Sequence, residues 1–338
     1  MPKVTTITVG WNSRAWLPEC FRTLLASRTS AELEVLFVDN ASDDGSAGMV
    51  AECFPAVRIL RNASNIGFAG GSNAGIRWAL EHGSDFVFLV NPDTRTPEGL
   101  IEQLTSFLIA WPEYAVVGPV QHGYGPDASG ANEWTRIALA AGEAHVWVHT
   151  WPEHPSPAGP LANRAPRTLE HAYVQGCALF ARAEVLRLTG LLDETYHSYY
   201  EETDLCRRVR WAGWRVALLL DYAIEHYGGG GGSPAARYRR RHMLRNKYFM
   251  LATDPDWAVP DILRLAARWI AADLGRKGAA PAGTRLAAAG DTLAGLAWLA
   301  VQAPRMARRR RQHARLRRLG AGGPLRASSG PGARAGDG

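Results

Sequence analysis

Val35-Leu36-Phe37-Val38-Asp39-Asn40-Ala41-Ser42-Asp43-Asp44-Gly45-Ser46 passes without a break from an apolar run into a cluster of Asn, Asp and Ser. A short apolar run bounded by turn formers reads as a strand covered on both faces. The same grammar recurs at Val4 to Val9, Val57 to Leu60, Phe86 to Val90 and Val116 to Val117. Segments of helical period lie between, over Arg14–Ala26, Ala47–Cys53, Gly70–Glu81 and Pro97–Ala110. Strand alternating with helix predicts an α/β chain with a mostly parallel, Rossmann-like sheet flanked by helices on both faces. Such sheets bind ligands at the carboxyl ends of their strands, so the residues after each strand are the ones to inspect.

The 338 residues, 46% of them apolar, suffice for a large buried core. The formal charge of +6 is misleading as a guide to ligands. From Arg305 onward the chain holds ten Arg and one acid, which leaves 28 basic and 31 acidic residues in the body. Basicity therefore belongs to the tail, and no basic scaffold interleaved with aromatics points to nucleic acid. Cys20, Cys53, Cys177 and Cys206 have no paired short spacing, which argues against a disulfide framework or zinc knuckle. With no basic-then-apolar leader and no apolar run long enough to span a bilayer, the expectation is a soluble, cytoplasmic chain.

From residue 123 to 170 the pattern dissolves into Gly, Pro, His and Trp, with one strand expected at His145–Trp151. Regularity returns at Tyr173–Arg182, followed by a helix at Thr203–Ala212 and a strand at Trp214–Leu220. A basic helix around Arg237–Leu251 comes next, then alanine-rich helices over Ile262–Leu274 and Thr284–Gln302. The expected organisation is a catalytic-type α/β domain over 1–250 with an insertion at 123–170, a C-terminal helical extension over 251–304, and a disordered Arg-rich tail over 305–338.

Four strand ends carry the chemistry. Gly10-Trp11-Asn12-Ser13 and the Asp39 cluster follow the first two strands; ordinary turn capping explains Ser13 and Asp43, while Asp39 can also accept from a base N–H. Asn65-Ile66-Gly67-Phe68-Ala69-Gly70-Gly71-Ser72-Asn73-Ala74-Gly75 puts glycines where a loop becomes a helix, which aims N–H groups at a ligand or simply permits close packing. Asn91-Pro92-Asp93-Thr94 offers a carboxylate suited to a hard divalent cation, though Pro-Asp also makes bland turns. Later, Glu201, Glu202 and Asp204 crowd the start of a helix, either as dipole complements or as a base of tunable pKa. His226 ends the last strand and is a candidate metal ligand.

Taken in order, Val9–Asn12, Val38–Ser46, Asn65–Gly75, Leu89–Asp93, Gly176–Arg182, Gly190–Leu205 and His226–Ser233, with Arg245-Asn246 beyond, resemble the family 2 glycosyltransferases, most of all the rhamnosyltransferase-type branch that builds bacterial surface polysaccharides. The resemblance covers roughly Val4 to Phe249 and implies a GT-A fold. It implies a nucleotide diphosphate sugar as donor, a saccharide or lipid-linked acceptor, Mg²⁺ or Mn²⁺, and inversion at the anomeric centre. Asp39 then contacts the base, Asp93 is the metal carboxylate of a DXD-like motif whose first position holds Asn91, and His226 completes the metal site. Donor contacts are expected at Asn12, Asn65, Gly67, Gly70 and Asn73. The family's base sits second in a Glu-Asp pair, where this chain has Glu202, so the base is Glu202 or its neighbour Glu201. Negative charge developing on the diphosphate calls for cations, and Arg245, with Lys247, is the candidate on that side. A second reading, prompted by the Glu-Glu pair and by Asn91, is a decayed module that binds nucleotide sugar without turning it over.

The apolar stripes Ile262, Leu263, Leu265, Ala266, Trp269, Ile270, Leu274 and Leu293, Leu296, Leu299, Ala300 either pack on the domain or face a membrane. Arg305 to Arg318, with eight Arg and no acid, tilts the expectation toward peripheral contact with the inner face of the cell membrane.

Overall fold

The computed structural model describes residues 1–123, 166–170, 173–228, 236–275 and 282–323. The strand expected at His145–Trp151 and most of the 123–170 insertion lie outside the described residues. In chain order the elements are β1 (Lys3–Gly10), α1 (Leu17–Leu25), β2 (Glu32–Asp39), α2 (Ser46–Cys53), β3 (Arg58–Arg61), α3 (Gly67–Glu81), β4 (Phe86–Val90), β5 (Thr94–Arg95) and α4 (Leu100–Ala110). They continue through β6 (Tyr114–Gly123), β7 (Thr168–Glu170), β8 (Ala178–Arg182), α5 (Ala183–Thr189), α6 (Glu201–Trp211), β9 (Arg215–His226), α7 (Ala236–Thr253), α8 (Val259–Gly275) and α9 (Ala282–Gly320).

One sheet runs in the order β3-β2-β1-β4-β8-β6-β9-β5, with β7 on β9. The β3-β2-β1-β4 half is parallel, as the alternation of strand and helix predicts. The other half is mixed: β8 runs antiparallel to both β4 and β6, whereas β9 is parallel to β6. Helical crossovers enforce parallel pairing only among β1 to β4; β8 follows the long insertion and is free of that constraint.

Both faces of the sheet are covered, so side chains alternate between two cores. Phe86, Phe88 and Val90 enter one core with Phe21, Phe37 and Phe180. Val87 and Leu89 enter the other with Ile7, Val38, Ile76 and Leu179. Gly71 and Gly75 let α3 lie close on β1: a Cβ at either position would come within 2.6 Å of Val9 or 2.5 Å of Ile7. A third core holds the C-terminal helices against the domain. Tyr196, Phe249, Met250 and Leu265 are buried there, with Ile262, Trp269, Trp298 and Leu299 packed around them. The two apolar stripes are thus divided in use, since Leu263, Leu293 and Leu296 stay exposed.

The expected boundaries at 250/251 and 304/305 both fall inside helices, α7 and α9. Arg305 to Gly320 is not a tail but the last part of a 39-residue helix. Arginine is a good helix former, and polar anchors replace the missing apolar face. Arg309 pairs with Asp193 at 2.8 Å, Arg317 with Asp256 at 2.9 Å, and Arg310 donates to the carbonyls of Asp254 and Trp257. Buried His313 meets the Thr253 carbonyl at 3.0 Å. Among the described residues no helix is long and apolar enough to cross a membrane, and all four cysteines are free.

Candidate active site

Asp39 closes β2 in a buried position, and its Oδ1 accepts the Ser42 N–H at 3.1 Å, so the turn role expected of this cluster is realised. Its other oxygen has no hydrogen bond with a described residue. Asn12, at φ 52°, donates its N–H to Ser42 Oγ (3.0 Å) and accepts the Asp43 N–H at 3.0 Å, stitching the first strand end to the second. Asn40, not singled out in the sequence reading, is the hub. Its Nδ2 donates to Asn65 Oδ1 (3.0 Å) and to the Gly67 carbonyl (3.1 Å), while its Oδ1 accepts from Asn62 and the Ile66 N–H. The amide of Asn40 thereby fixes the start of α3 beside Asp39.

Gly67 needs its lack of a side chain. At φ +76° a Cβ would run into the backbone carbonyl and ring of His197, and Ala69 N–H donates to that same carbonyl at 3.0 Å. Gly67→Ala is expected to cost about 1–3 kcal/mol of stability from left-handed strain and overpacking. A melting temperature equal to wild type would show that His197 yields freely.

Asp93 and His226, 133 residues apart in sequence and expected to share a metal, do meet. β5 pairs antiparallel with the end of β9, setting Thr94 opposite His226. Asp93 Oδ1 lies 3.3 Å from His226 Nε2, and its Oδ2 accepts the Gly228 N–H at 3.2 Å. His226 Nδ1 faces Gln121 Oε1 at 3.2 Å, a partner that fixes the ring and leaves Nε2 toward Asp93. Asn91 Nδ2 is 3.4 Å from the same Nε2, so the residue in place of the first Asp still touches the site. Burial opposes a proton on His226, but the Cys177 sulfur and the Asp93 carboxylate outweigh it and raise its pKa to about 11. A proton between these groups is what a divalent cation would displace. One carboxylate and one imidazole fit such an ion when phosphate and water oxygens complete its shell. Among the described residues no cluster of three or more His, Cys, Asp or Glu could hold one unaided.

Glu201 and Glu202 open α6. Glu201 is buried, and its Oε2 has no partner among the described residues. Burial, then the charge of Glu202, pushes the Glu201 pKa well up; burial also raises that of Glu202, which hydrogen-bonds Glu201. Burial and like charge thus favour keeping a proton on this pair. The loop before it is strained, with His197, Tyr199 and Tyr200 all at positive φ. Fully buried Asn246 holds it by donating Nδ2 to the carbonyls of Tyr196, Ser198 and Tyr199 at 2.8–2.9 Å. Gly176 joins the two halves of the site. A Cβ there would sit 3.0 Å from Phe68 and 3.9 Å from Glu202 Cβ, while its neighbour Cys177 contacts His226.

Three residues expected at the donor are also engaged within the fold. Asn73 binds Leu192 N–H and carbonyl and Glu194, locking α3 to the loop before α6. Gly70 packs against Ile66 in its own turn. Arg245 stacks on Trp298 at 4.5 Å and donates to the Tyr196 carbonyl, so its charge is held by the C-terminal helices. Asp204 is an internal anchor, paired with Arg208 at 2.8 Å.

Solved structures with the same architecture place the class first. The chain superposes on a mannosyltransferase from Pyrobaculum calidifontis, solved with GDP-Man and Mn²⁺, with a TM-score of 0.55 over 95% of this chain and 86% of that one, at 21% identity. It also superposes on GalNAc-T7, solved with UDP, GalNAc and Mn²⁺, with a TM-score of 0.61 at 12% identity, spanning 89% of this chain and 57% of that longer one. The fold is thus GT-A, as the resemblance implied. Residues 5–186 match the profile of glycosyl transferase family 2, and the chain belongs to that family, whose members transfer a sugar from a nucleotide-sugar donor. It is 27% identical over 251 residues, 69% of this chain and 79% of the relative, to the N-acetylglucosaminyl-diphospho-decaprenol L-rhamnosyltransferase of Mycobacterium tuberculosis.

Proposed function

We propose that this glycosyltransferase moves a sugar, rhamnose in the first instance, from a nucleoside diphosphate to a hydroxyl of a lipid-linked saccharide in bacterial surface polysaccharide synthesis, with inversion. The observation that carries the reading is the juxtaposition around Gly176–Cys177: Asp93 and His226 on one side, the Glu201–Glu202 pair on the other. Asp39 accepts from the base, with Asn12 and Asn65 shaping that wall. Asp93 and His226 are the residues that would hold Mg²⁺ or Mn²⁺, which when bound offsets the charge of the departing diphosphate. Glu202 takes the proton of the acceptor hydroxyl as its oxygen bonds to the anomeric carbon and the bond to the diphosphate breaks. Glu201 keeps its proton and orients Glu202. One displacement inverts the anomeric centre. Decay to a non-catalytic module is not favoured, because the carboxylate pair and the Asp93–His226 pair are both intact. The rhamnosyl donor and lipid-linked acceptor rest on the M. tuberculosis relative's name.

Purified protein incubated with deoxythymidine diphosphate rhamnose, a polyprenyl diphosphate N-acetylglucosamine acceptor and Mn²⁺ tests the proposal. Transfer with opposite anomeric configuration, stopped by EDTA, is expected. Transfer from UDP or GDP sugars alone would keep the enzyme class and overturn the rhamnosyl assignment.

A further inference from the structure

The arginine-rich end of α9 has two sides. Arg309, Arg310, His313 and Arg317 face the body and make the contacts described above, which pin the helix close to α6. Arg311, Arg315 and Arg318 share the opposite side, and Arg308, three residues before Arg311, stands at its margin, where it borders a cavity against Leu192–Thr195. All four are exposed, and none makes an ion pair or hydrogen bond with a described residue.

The same ladder continues backward through Arg305 to exposed Val301, Ala297 and Leu293, and forward to Leu319. Val301 is 76% exposed, Leu293 67% and Leu319 53%. From Leu293 to Leu319 the helix carries no acid. Asp291, just before it, is buried under Arg237, Arg240 and Arg241. At a rise of about 1.5 Å per residue, the stripe is roughly 40 Å long.

Unpaired cations interleaved with bare aliphatic side chains are poorly matched to water, yet both suit the headgroup boundary of an anionic bilayer. There the aliphatics enter the acyl margin while the arginine stems lie flat and the guanidinium groups meet phosphates. We infer that this outer side of α9 is a membrane-docking face for an anionic lipid leaflet, held rigidly to the catalytic body. A nucleic acid would engage the arginines but leave the aliphatics in water. The inference deepens the lipid-linked acceptor reading, and because its test reads binding without turnover, the two fail separately.

The experiment is cosedimentation of the full chain with phosphatidylcholine vesicles, with and without phosphatidylglycerol, at low and high salt. Pelleting is expected only with phosphatidylglycerol, and high salt should weaken it. The variant R308Q/R311Q/R315Q/R318Q should lose partition on the order of 10²- to 10³-fold, at about 1 kcal/mol per basic residue. Its melting temperature and its transfer to a soluble acceptor should stay at wild-type values. The variant L293S/V301S/L319S should also bind less. Equal pelleting with neutral vesicles, or native partition by the arginine variant, overturns the docking face. Native vesicle binding by the serine variant, together with release by duplex DNA, overturns it in favour of a general polyanion site.

Discussion

Glu202→Gln lowers kcat by roughly 10² to 10⁴ and leaves nucleotide affinity near native, the signature of a lost general base. The glutamine keeps the shape of the side chain at the start of α6 but cannot accept a proton from the acceptor hydroxyl. Its neighbour gives the contrast. Burial, then the charge of Glu202, pushes the Glu201 pKa well up, which favours its neutral form, and in that form Glu201→Gln replaces one neutral hydrogen-bonding group with another. Its effect on kcat is expected to be several-fold at most. Burial also raises the pKa of Glu202, so wild-type kcat should fall as the pH drops through that raised value and the base becomes protonated. Steady-state kinetics with nucleotide affinity measured separately decides the matter. If Glu202→Gln damages binding and turnover equally, the residue is structural; if Glu201→Gln is the crippled variant, the roles are reversed.

Asp93→Ala abolishes turnover, by more than about a hundredfold, and removes the Mn²⁺ dependence of nucleotide binding. Asp93 is buried at the turn between β4 and β5 and is the carboxylate that faces His226. Removing it leaves an imidazole alone to attract a cation. The substitution also deletes the acceptor of the Gly228 N–H, so a modest loss of stability is expected as well. Asp93→Asn separates the two effects, because an amide can still accept that N–H but is a far weaker ligand for a hard cation. Thermal shift with nucleoside diphosphate, with and without Mn²⁺, is the direct readout. A variant that keeps the metal-dependent shift would place the cation elsewhere.

The sequence by itself determined the local half of this protein. Strand ends at Val9, Val38 and Val90, the passage from loop to helix across Asn65–Gly75 and the acidic opening of α6 are written in short-range periodicity and turn chemistry, which act through neighbours along the chain. Asp39, Asp93, Glu201, Glu202 and His226 could therefore be named as candidates from residue type and place. Tertiary structure alone decided which of them lie together. Thr94 pairs with His226, Gly176 falls between Phe68 and Glu202, and Asn246 reaches back to the 196–199 loop, all across separations that leave no trace in local pattern. The surroundings of Asn73 and Arg245 were hidden for the same reason. Their residue types suit a ligand, but packing put Leu192 and Glu194 against one and Trp298 against the other. The helix through Arg305–Gly320 is the clearest case. Low apolar content reads as a tail because local sequence counts only hydrophobic burial, whereas the fold supplies carboxylates and carbonyls from Asp193, Thr253, Asp254 and Asp256 that anchor it by charge and hydrogen bonding.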